Sequence, residues 1–381
     1  MSPDKLRGEI DRIDDELLRL FEERMDTVSE IAAFKQASGL PVLDHQREAA
    51  KHASIAGKIR PEMEPYAHIL YDMLFEMSRS HQRRIKKAPS PLYNEILDAI
   101  ANTPEMFPQK GTVACQGVEG AFSQRAVERL FKWPEISYFR TFDSVFAAIE
   151  NGFCDYGVLP LENSTAGSVT KVYDLMQKRN FKIVKSVRIK VDHNLVVKKG
   201  VKLEEIKAIY SHEQALSQCA TFLDQFGPDV TITRCEDTAA AAEAVATTDR
   251  RDTAAICSSS CIELYDLGCL ARDIQDRSNN YTRFICISKK LEIYPGADRT
   301  SIMMVAPHRP GALYKALARF YALGINLNKL ESRPFPDRDF EFMFYFGLET
   351  SVYSKEFAEL LDGMQEICDE FKYLGSYSEI I

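Results

Sequence analysis

Six consecutive residues, Asn279-Asn280-Tyr281-Thr282-Arg283-Phe284, run straight into the apolar triplet Ile285-Cys286-Ile287. Amide, hydroxyl and guanidinium groups at the mouth of a buried strand are held rigidly, and fixed dipoles stabilise developing charge without having to reorganise. That suits a reaction in which carboxylate or hydroxide departs. A Thr-Arg pair entering a strand is by itself ordinary structure, so its weight depends on what other polar clusters converge on it. A second set lies near the N-terminus. Arg24 falls on the apolar seam Leu6, Ile10, Ile13, Leu17, Leu20, Thr27, Ile31 and Phe34 of a long helix, and Lys35 follows about three turns later on the same face. An unpaired buried charge is costly. Either acids of another helix neutralise these two cations, the usual arrangement for buried charge, or a small anion does.

A length of 381 residues exceeds one compact core and points to two or three domains. The net charge of −8 leaves no basic excess to neutralise phosphates, which excludes a general nucleic-acid binder but not local cationic pockets. Nine cysteines contain no Cys-x-x-Cys pair, so neither a metal site nor a disulfide framework is expected, and a reducing cytoplasm is the simpler location. The charged opening and the lack of any 18-residue apolar run predict neither a signal peptide nor a membrane span.

The elements that must position these groups can be read from punctuation. Gly39 and Pro41 stop the first helix. Asp44 suits the N-cap of a second, with Arg47 and Glu48 in its first turn, and Pro61 and Pro65 bracket a break before a third helix over 66–86. On that helix Leu74, Ser78 and Gln82 share a stripe. Three helices of such unequal length enclose a core poorly, so an intertwined homodimer or higher homo-oligomer is expected. Residues 91–110, rich in proline with one helical patch, read as a linker.

From 111 to 290, short apolar runs alternate with helical stretches in two sets, the rhythm of parallel βαβ units in a two-lobed α/β module. Polar residues collect where strands end. The loop 117–123 opens a helix and could cradle a carboxylate with backbone N–H groups. Glu162-Asn163-Ser164-Thr165 precedes another helix, and Ser211-His212 leaves a third strand, with Gln218 in the helix after it. Each alone is more often a helix cap, and jointly they make a site. His212 reads equally as a catalytic group or a neutral hydrogen-bonded one. Residues 298–381 follow the order βαββαβ, the ferredoxin-like pattern, with strands over 300–305, 325–331 and 340–349 and helices over 312–323 and 355–371.

The order and spacing of Arg7, Arg24, Lys35, Asp44, Arg47, Glu48, Ser78 and Gln82 resemble the active site of the all-helical chorismate mutases, across nearly all of residues 1–90. That resemblance implies rearrangement of chorismate to prephenate by holding a dicarboxylate ether in its reactive chair, an entropic and electrostatic task. It implies that Arg24 and Arg47 clamp carboxylates, that Lys35 and Gln82 donate to the ether oxygen, and that Glu48 holds the ring hydroxyl. Arg7, about 100° from the Arg24 face of its helix, would serve a partner subunit's site.

Residues 111–290 resemble prephenate dehydratase, through Glu162-Asn163-Ser164, Ser211, Gln218, Glu236 and Thr282-Arg283-Phe284. One departure is Gln116-Gly117, where that family often carries Gly-Pro. The resemblance implies a periplasmic-binding-protein-like fold and loss of carbon dioxide and the ring hydroxyl from prephenate, giving phenylpyruvate. Thr282 would donate to the leaving hydroxyl, Asn163 and Gln218 would position it, and Glu236 would orient neighbours. Ser211 and Arg283 join the catalytic set, and Glu162, Ser164, Thr165 and Phe284 the substrate contacts. Two roles stay open for Thr282, general acid or electrostatic positioning.

Pro310-Gly311-Ala312-Leu313 and Glu331-Ser332-Arg333-Pro334 resemble the paired motifs of ACT domains attached to prephenate dehydratases, which implies a phenylalanine site between subunits. Taken together, the resemblances imply a bifunctional enzyme of phenylalanine biosynthesis, feedback-inhibited by phenylalanine and needing no cofactor or metal. Its expected divisions are 1–90, a linker over 91–110, 111–290 and 298–381. Two rivals stand beside this reading. One is a non-enzymatic amino-acid sensor, since two-lobed modules and ACT domains also bind ligands without catalysis. The other is a dehydratase preferring arogenate, with a vestigial mutase.

Overall fold

The computed structural model describes residues 2–55, 57–85, 90–308, 311–335 and 341–381. The chain forms two compact units, one of Met1–Leu97, Met304–Phe344 and Leu348–Phe371, the other of Asp98–Met303, Tyr345–Gly347 and Lys372–Ile381.

The first helix, α1 (Pro3–Ala37), starts behind Ser2, whose hydroxyl accepts from the Lys5 N–H, and stops at Gly39, whose φ of +66° only glycine adopts freely. α2 (His45–Ala53) is capped by Asp44, which accepts from the Arg47 N–H at 2.9 Å. In α3 (Glu64–Ile85), Pro65 occupies the first turn instead of marking a break, because a proline there loses no helical hydrogen bond. The expected end of this helix at Lys86 lies outside the described residues. At 1.5 Å per residue α1 is about 50 Å long and α3 about 33 Å. The buried residues of α1, Val28 and Ala32, lie in its second half, while Leu6, Ile10, Ile13, Leu17 and Leu20 are 46–57% exposed in the single chain. The segment read as a linker carries α4 (Pro91–Asn102), anchored by the fully buried Ile96.

The middle of the chain runs β1 (Lys110–Gln116), α5 (Phe122–Leu130), β2 (Trp133–Phe139), α6 (Phe142–Glu150), β3 (Tyr156–Asn163), β4 (Gly167–Ser168), α7 (Thr170–Lys178) and β5 (Lys182–Lys190). It continues with β6 (Asn194–Val197), β7 (Ala208–His212), α8 (Glu213–Gln218), α9 (Ala220–Leu223), β8 (Thr231–Cys235), α10 (Thr238–Thr247), β9 (Thr253–Cys257), α11 (Ser260–Leu264), β10 (Gly268–Ala271) and β11 (Tyr281–Ser288). Last come β12 (Arg299–Val305), α12 (Ala312–Ala322), β13 (Asn326–Pro334), β14 (Phe342–Glu349), α13 (Lys355–Ile367), β15 (Glu370–Tyr377) and β16 (Glu379–Ile380). The βαββαβ order is present from β12 to β15, in a sheet ordered β13-β14-β12-β15. Of the expected residues here, Pro310 and Phe340 lie outside the described set.

Two sheets form the lobes of the second unit. One is ordered β16-β5-β11-β3-β1-β2, with β4 on β3, and the other β10-β6-β9-β7-β8. The expectation of parallel βαβ sheets needs correction, because both are mixed. β1 runs parallel to β2 and β3, but β11 is antiparallel to both β3 and β5. In the other sheet β7 is parallel to β8 and β9, while β6 and β10 run against their neighbours. The cause is topological. The chain leaves the first sheet after β5, builds the second lobe, and comes back through residues 272–280 to enter β11 in the reverse direction. Strands buried on both faces are apolar throughout, so their direction leaves no periodic mark. The helix expected over 214–226 is broken at Cys219, where the Gln218 carbonyl accepts from the Asp276 N–H at 2.8 Å and Asp276 Oδ1 accepts from the Thr221 N–H at 3.2 Å. Among the described residues no helix is long and apolar enough to cross a membrane.

β16 adds itself parallel to β5 and brings in Glu379, whose side chain is 1% exposed. Its carboxylate meets Arg283 at 2.5 Å, Arg188 at 2.6 Å and Arg299 at 3.7 Å. Burial alone would raise this carboxyl's pKa, but Arg283, with Arg188 and Arg299, outweighs it and holds the pKa below its ordinary value. A depressed folded-state pKa contributes stability that is present at neutral pH and is lost as pH falls below about 4.5. Glu379→Gln is therefore expected to cost about 3 kcal/mol at pH 7, measured by denaturant unfolding. The gap to the parent chain should narrow as pH falls, and a gap that widened in acid would contradict the assignment.

Candidate active sites

In the second unit the two lobes are joined by two crossings, residues 191–193 and 272–280, and the polar residues of the lobe edges meet there. Asn163, last in β3, stands opposite Thr282, second in β11, in antiparallel register. Its Nδ2 therefore reaches Thr282 Oγ1 at 3.0 Å and Asn280 Oδ1 at 2.8 Å. Its Oδ1 accepts from the Thr165 N–H at 3.0 Å, the Thr165 hydroxyl at 2.7 Å and the Ala166 N–H at 2.9 Å. Gln218, released from helix geometry by the break at Cys219, donates from Nε2 to Thr165 Oγ1 at 2.9 Å. Its Oε1 accepts from Asn280 Nδ2 at 2.9 Å and pairs with His193 Nε2 at 2.9 Å. Thr282 accepts from Asn163, so its own proton remains available. All these groups are neutral donors or acceptors locked by one another.

They border a cavity of about 430 Å³ lined by Asn163, Gln218, Thr282 and His193 from this network, by Phe122 and Ser123 of α5, and by Phe284, His212 and Glu236. α5 has no side-chain cap, which leaves its first N–H groups, those of Phe122 and Ser123, for an anion. Three other N–H groups of the expected backbone cradle are already engaged: that of Gly117 donates to Phe139 O at 2.9 Å, that of Gly120 to Gln124 Oε1 at 2.7 Å and that of Ala121 to Val118 O at 3.2 Å. A second cavity of about 650 Å³ shares His212, Gln214 and Gln218 and takes in Thr165, Arg277 and Asn280.

Not every expected residue reaches the cavity. Arg283 faces the other side of β11, as strand alternation requires, and binds Glu162 and Glu379. Glu162 is thus held by Arg283 and does not line the cavity. Ser211 is fully buried with its hydroxyl donating to Ile256 O at 2.7 Å. Ser164 ties the crossing in place, donating to Asn279 O and accepting from the Tyr281 N–H, each at 2.9 Å. Glu236 stands exposed at the cavity rim. His212 caps α8, its Nδ1 accepting from the Gln214 N–H at 3.2 Å. The histidine set deepest in the site is His193, which sequence reasoning missed. It sits in a crossing with no periodic pattern, and its one signal was an imidazole beside the amide Asn194 at the end of an apolar strand. Burial lowers its pKa despite the opposing hydrogen bond from Gln218, and Nδ1 meets no protein partner.

In the first unit Arg24 donates to Ser78 Oγ at 2.5 Å, and Ser78 in turn donates to Leu74 O. Burial lowers the Arg24 pKa, against a smaller opposing contribution from Tyr71, but a guanidinium stays charged at any physiological pH. Lys35 donates to Val42 O at 2.6 Å. The Arg47 side chain is exposed. Among the described residues none of these three cations forms an ion pair with a carboxylate of the chain, so the reading in which other helices neutralise them does not hold here. Lys35 and Gln82 border a cavity of about 330 Å³, and Gln82 Oε1 is buried with no partner among the described residues. Glu48 accepts from Arg79. Arg7 is exposed beside Asp4 at 3.4 Å and stands away from Arg24 along the helix.

Near the C-terminus Gly311 takes φ +80° ahead of α12. Ala312 and Leu313 line a cavity of about 390 Å³ with Ala306, Pro307, His308, Phe342 and Phe344. Glu331, Ser332, Arg333 and Pro334 lie on β13, outside that lining, with Glu331 paired to Lys329 at 3.4 Å.

The family model "Prephenate dehydratase" matches residues 113–292 and "Chorismate mutase type II" matches residues 6–83. A "Bifunctional chorismate mutase/prephenate dehydratase" of Aquifex aeolicus is 32% identical, over 99% of this chain and 98% of its own. "Arogenate dehydratase 2" of Petunia hybrida is 35% identical over 77% of this chain and 78% of its own. Among solved structures, the prephenate dehydratase of Arthrobacter aurescens in complex with L-Phe superposes with a TM-score of 0.65 at 28% identity, covering 70% of this chain and 89% of that one.

The buried His193 ring is expected to remain neutral at pH 6.5 and to titrate only below it. NMR titration of the histidine ring signals in the full chain checks this, and a midpoint at or above 6.5 would contradict the burial argument.

Proposed function

The chain belongs to the family of bifunctional chorismate mutase/prephenate dehydratases, and from that premise we propose how its residues divide the work. It rearranges chorismate to prephenate and then removes carbon dioxide and the ring hydroxyl from prephenate, leaving phenylpyruvate. The relatives that carry both names match essentially the full chain, helices included, which disfavours the sensor and vestigial-mutase readings.

The mutase reading rests on one observation above all: among the described residues Arg24, Lys35 and Arg47 meet no carboxylate, while a cavity opens between Lys35 and Gln82. A dicarboxylate ether supplies the missing charge. Arg24 and Arg47 hold its carboxylates, Lys35 and Gln82 favour the breaking ether bond, and Glu48 takes the ring hydroxyl with the oxygen that Arg79 leaves free. The exposed apolar stripe of α1 supports a dimer in which a second copy covers it and Arg7 completes the partner's site.

At the dehydratase cavity Thr282 donates to the departing hydroxyl, fixed by Asn163, while Gln218 and Asn280 hold the network in register. Carboxylates are received by the open N–H groups of α5. A neutral His193 beside Gln218 supports electrostatic positioning over acid catalysis by an imidazolium. Arg283 and Glu162 serve the sheet behind the site and not the substrate. The C-terminal βαββαβ segment is an ACT domain, and the apolar cavity beside Ala312 and Leu313, with Phe342 and Phe344, suits an aromatic effector such as the L-Phe bound by the Arthrobacter aurescens relative. Ser332 and its neighbours on β13 would meet that effector from a second copy.

Adding chorismate to the pure chain should yield phenylpyruvate, read by its absorbance in alkali, and rates with prephenate and arogenate compared side by side identify the preferred second substrate. Arg24→Ala should remove at least a hundredfold of mutase kcat/KM and spare the dehydratase. Thr282→Ala should do the reverse by a similar roughly hundredfold factor. Equal loss of both activities in either variant would refute separate sites. Ser332→Ala should weaken inhibition by phenylalanine and leave the uninhibited rate unchanged, and undiminished inhibition would count against the effector site.

A further inference from the structure

Glu48 is not an isolated site residue, because it ends a buried chain of alternating charge that begins on α12. Arg319 of α12 donates from Nη1 to Glu76 Oε1 on α3. Arg79, one turn further along α3, donates from Nη2 to Glu76 Oε2 at 2.6 Å and from Nη1 to Glu48 Oε1 on α2. The side chains of Arg319, Glu76 and Arg79 are 1%, 4% and 6% exposed. Three buried charges and a partly exposed fourth in such order are costly to assemble and costly to break, since removing one leaves its neighbour unpaired.

The route taken by Arg319 is built into the helices. Its Nη2 donates to Glu359 O of α13 at 2.8 Å, and a Cβ at Gly363 of α13 would stand in the place of the guanidinium. Glycine is a poor choice inside a helix, and at 363 it opens the passage through which Arg319 reaches α3. On Glu76, burial pushes the pKa up, while Arg319 first and Arg79 next push it down and prevail. Arg79 is held above its ordinary value by Glu76 and then Glu48, against burial. With Arg319 sharing Glu76, one arm of Arg79 stays on Glu48. Without it, Glu76 keeps only Arg79 and the weaker influence of Arg83, and competes more strongly for Arg79.

We propose that Arg319 is a positioning residue for the mutase reaction: acting through Glu76 and Arg79, it sets the Glu48 carboxylate for the ring hydroxyl of chorismate. This rests on the assignment of Glu48 to the chorismate site made above. The C-terminal α/β segment thereby contributes to the first reaction without touching its substrate.

The test is steady-state mutase kinetics on the full chain for Arg319→Met, Arg319→Lys, Glu48→Gln and the double variant Arg319→Met/Glu48→Gln, with dehydratase kinetics measured in parallel. Arg319→Met should lower mutase kcat/KM roughly tenfold, as a slightly misplaced site group does, and divide the loss between KM and kcat in the same proportion as Glu48→Gln. Arg319→Lys should restore part of the loss. In the Glu48→Gln background Arg319→Met should add nothing, and the dehydratase should be unchanged throughout. Should Arg319→Met not fold, Arg319→Gln carries the same comparison. An equal further loss in the Glu48→Gln background, or no loss from Arg319→Met in the parent chain when Glu48→Gln alone is damaging, would overturn the relay and leave the assignment of Glu48 intact. Full mutase activity in Glu48→Gln would instead remove the assignment itself, and the relay's catalytic meaning with it.

Discussion

Thr282 and Arg283 are neighbours in sequence and face opposite sides of β11, and the register of that strand between β3 and β5 governs what each can do. Thr282 lies opposite Asn163 and meets the cleft, while Arg283 turns to Glu162 and Glu379 behind it. A slip of one residue would exchange the two faces, presenting a guanidinium to the substrate and a hydroxyl to two buried carboxylates. The four-residue network of Asn163, Thr165, Gln218 and Asn280 pins the register from the cleft side, and the arginine cluster around Glu379 pins it from the other. Neither anchor is local. The first joins both lobes and the second uses the last strand of the sheet.

The two sites handle related dicarboxylic substrates by different means, and the difference follows from what surrounds them. The helical unit keeps permanent cations that, among the described residues, meet no carboxylate, at the expense of an incomplete core in the single chain. The cleft uses neutral amides and a hydroxyl engaged with one another, beside helix N–H groups left open. A rearrangement needs its substrate folded and held, and long-range charge does that well. A departing hydroxyl needs one well-aimed donor in a dry setting, which preorganised dipoles supply.

Much of this was legible in the sequence, and the failures have specific causes. Helix ends were readable because Asp44 and Gly39 act by local chemistry. Asn163, Gln218 and Thr282 stood out as polar groups where apolar runs end. Arg283 and Ser211 carried the same signature, and only the side of the strand separates them from the cavity, which a short strand buried on both faces does not reveal. The antiparallel course of β11 was hidden for the same reason. His193 lay in a crossing with no repeat to mark it. The partnership of Glu48, Arg79, Glu76 and Arg319 joins positions up to 243 apart in the chain, and no window of sequence contains it.

The position of β11 inside the first sheet bears on how the protein comes into being. Its neighbours β3 and β5 emerge from the ribosome more than ninety residues earlier and must wait with facing edges open. The second lobe, contiguous from β6 to β10, can assemble during that interval. The first lobe closes only when its central strand arrives, and its edge is completed later still by residues 379–380. Until then two apolar strand edges are exposed to stray pairing, which makes nascent chains, and chains stalled between residues 191 and 280, the form of this protein most dependent on chaperones.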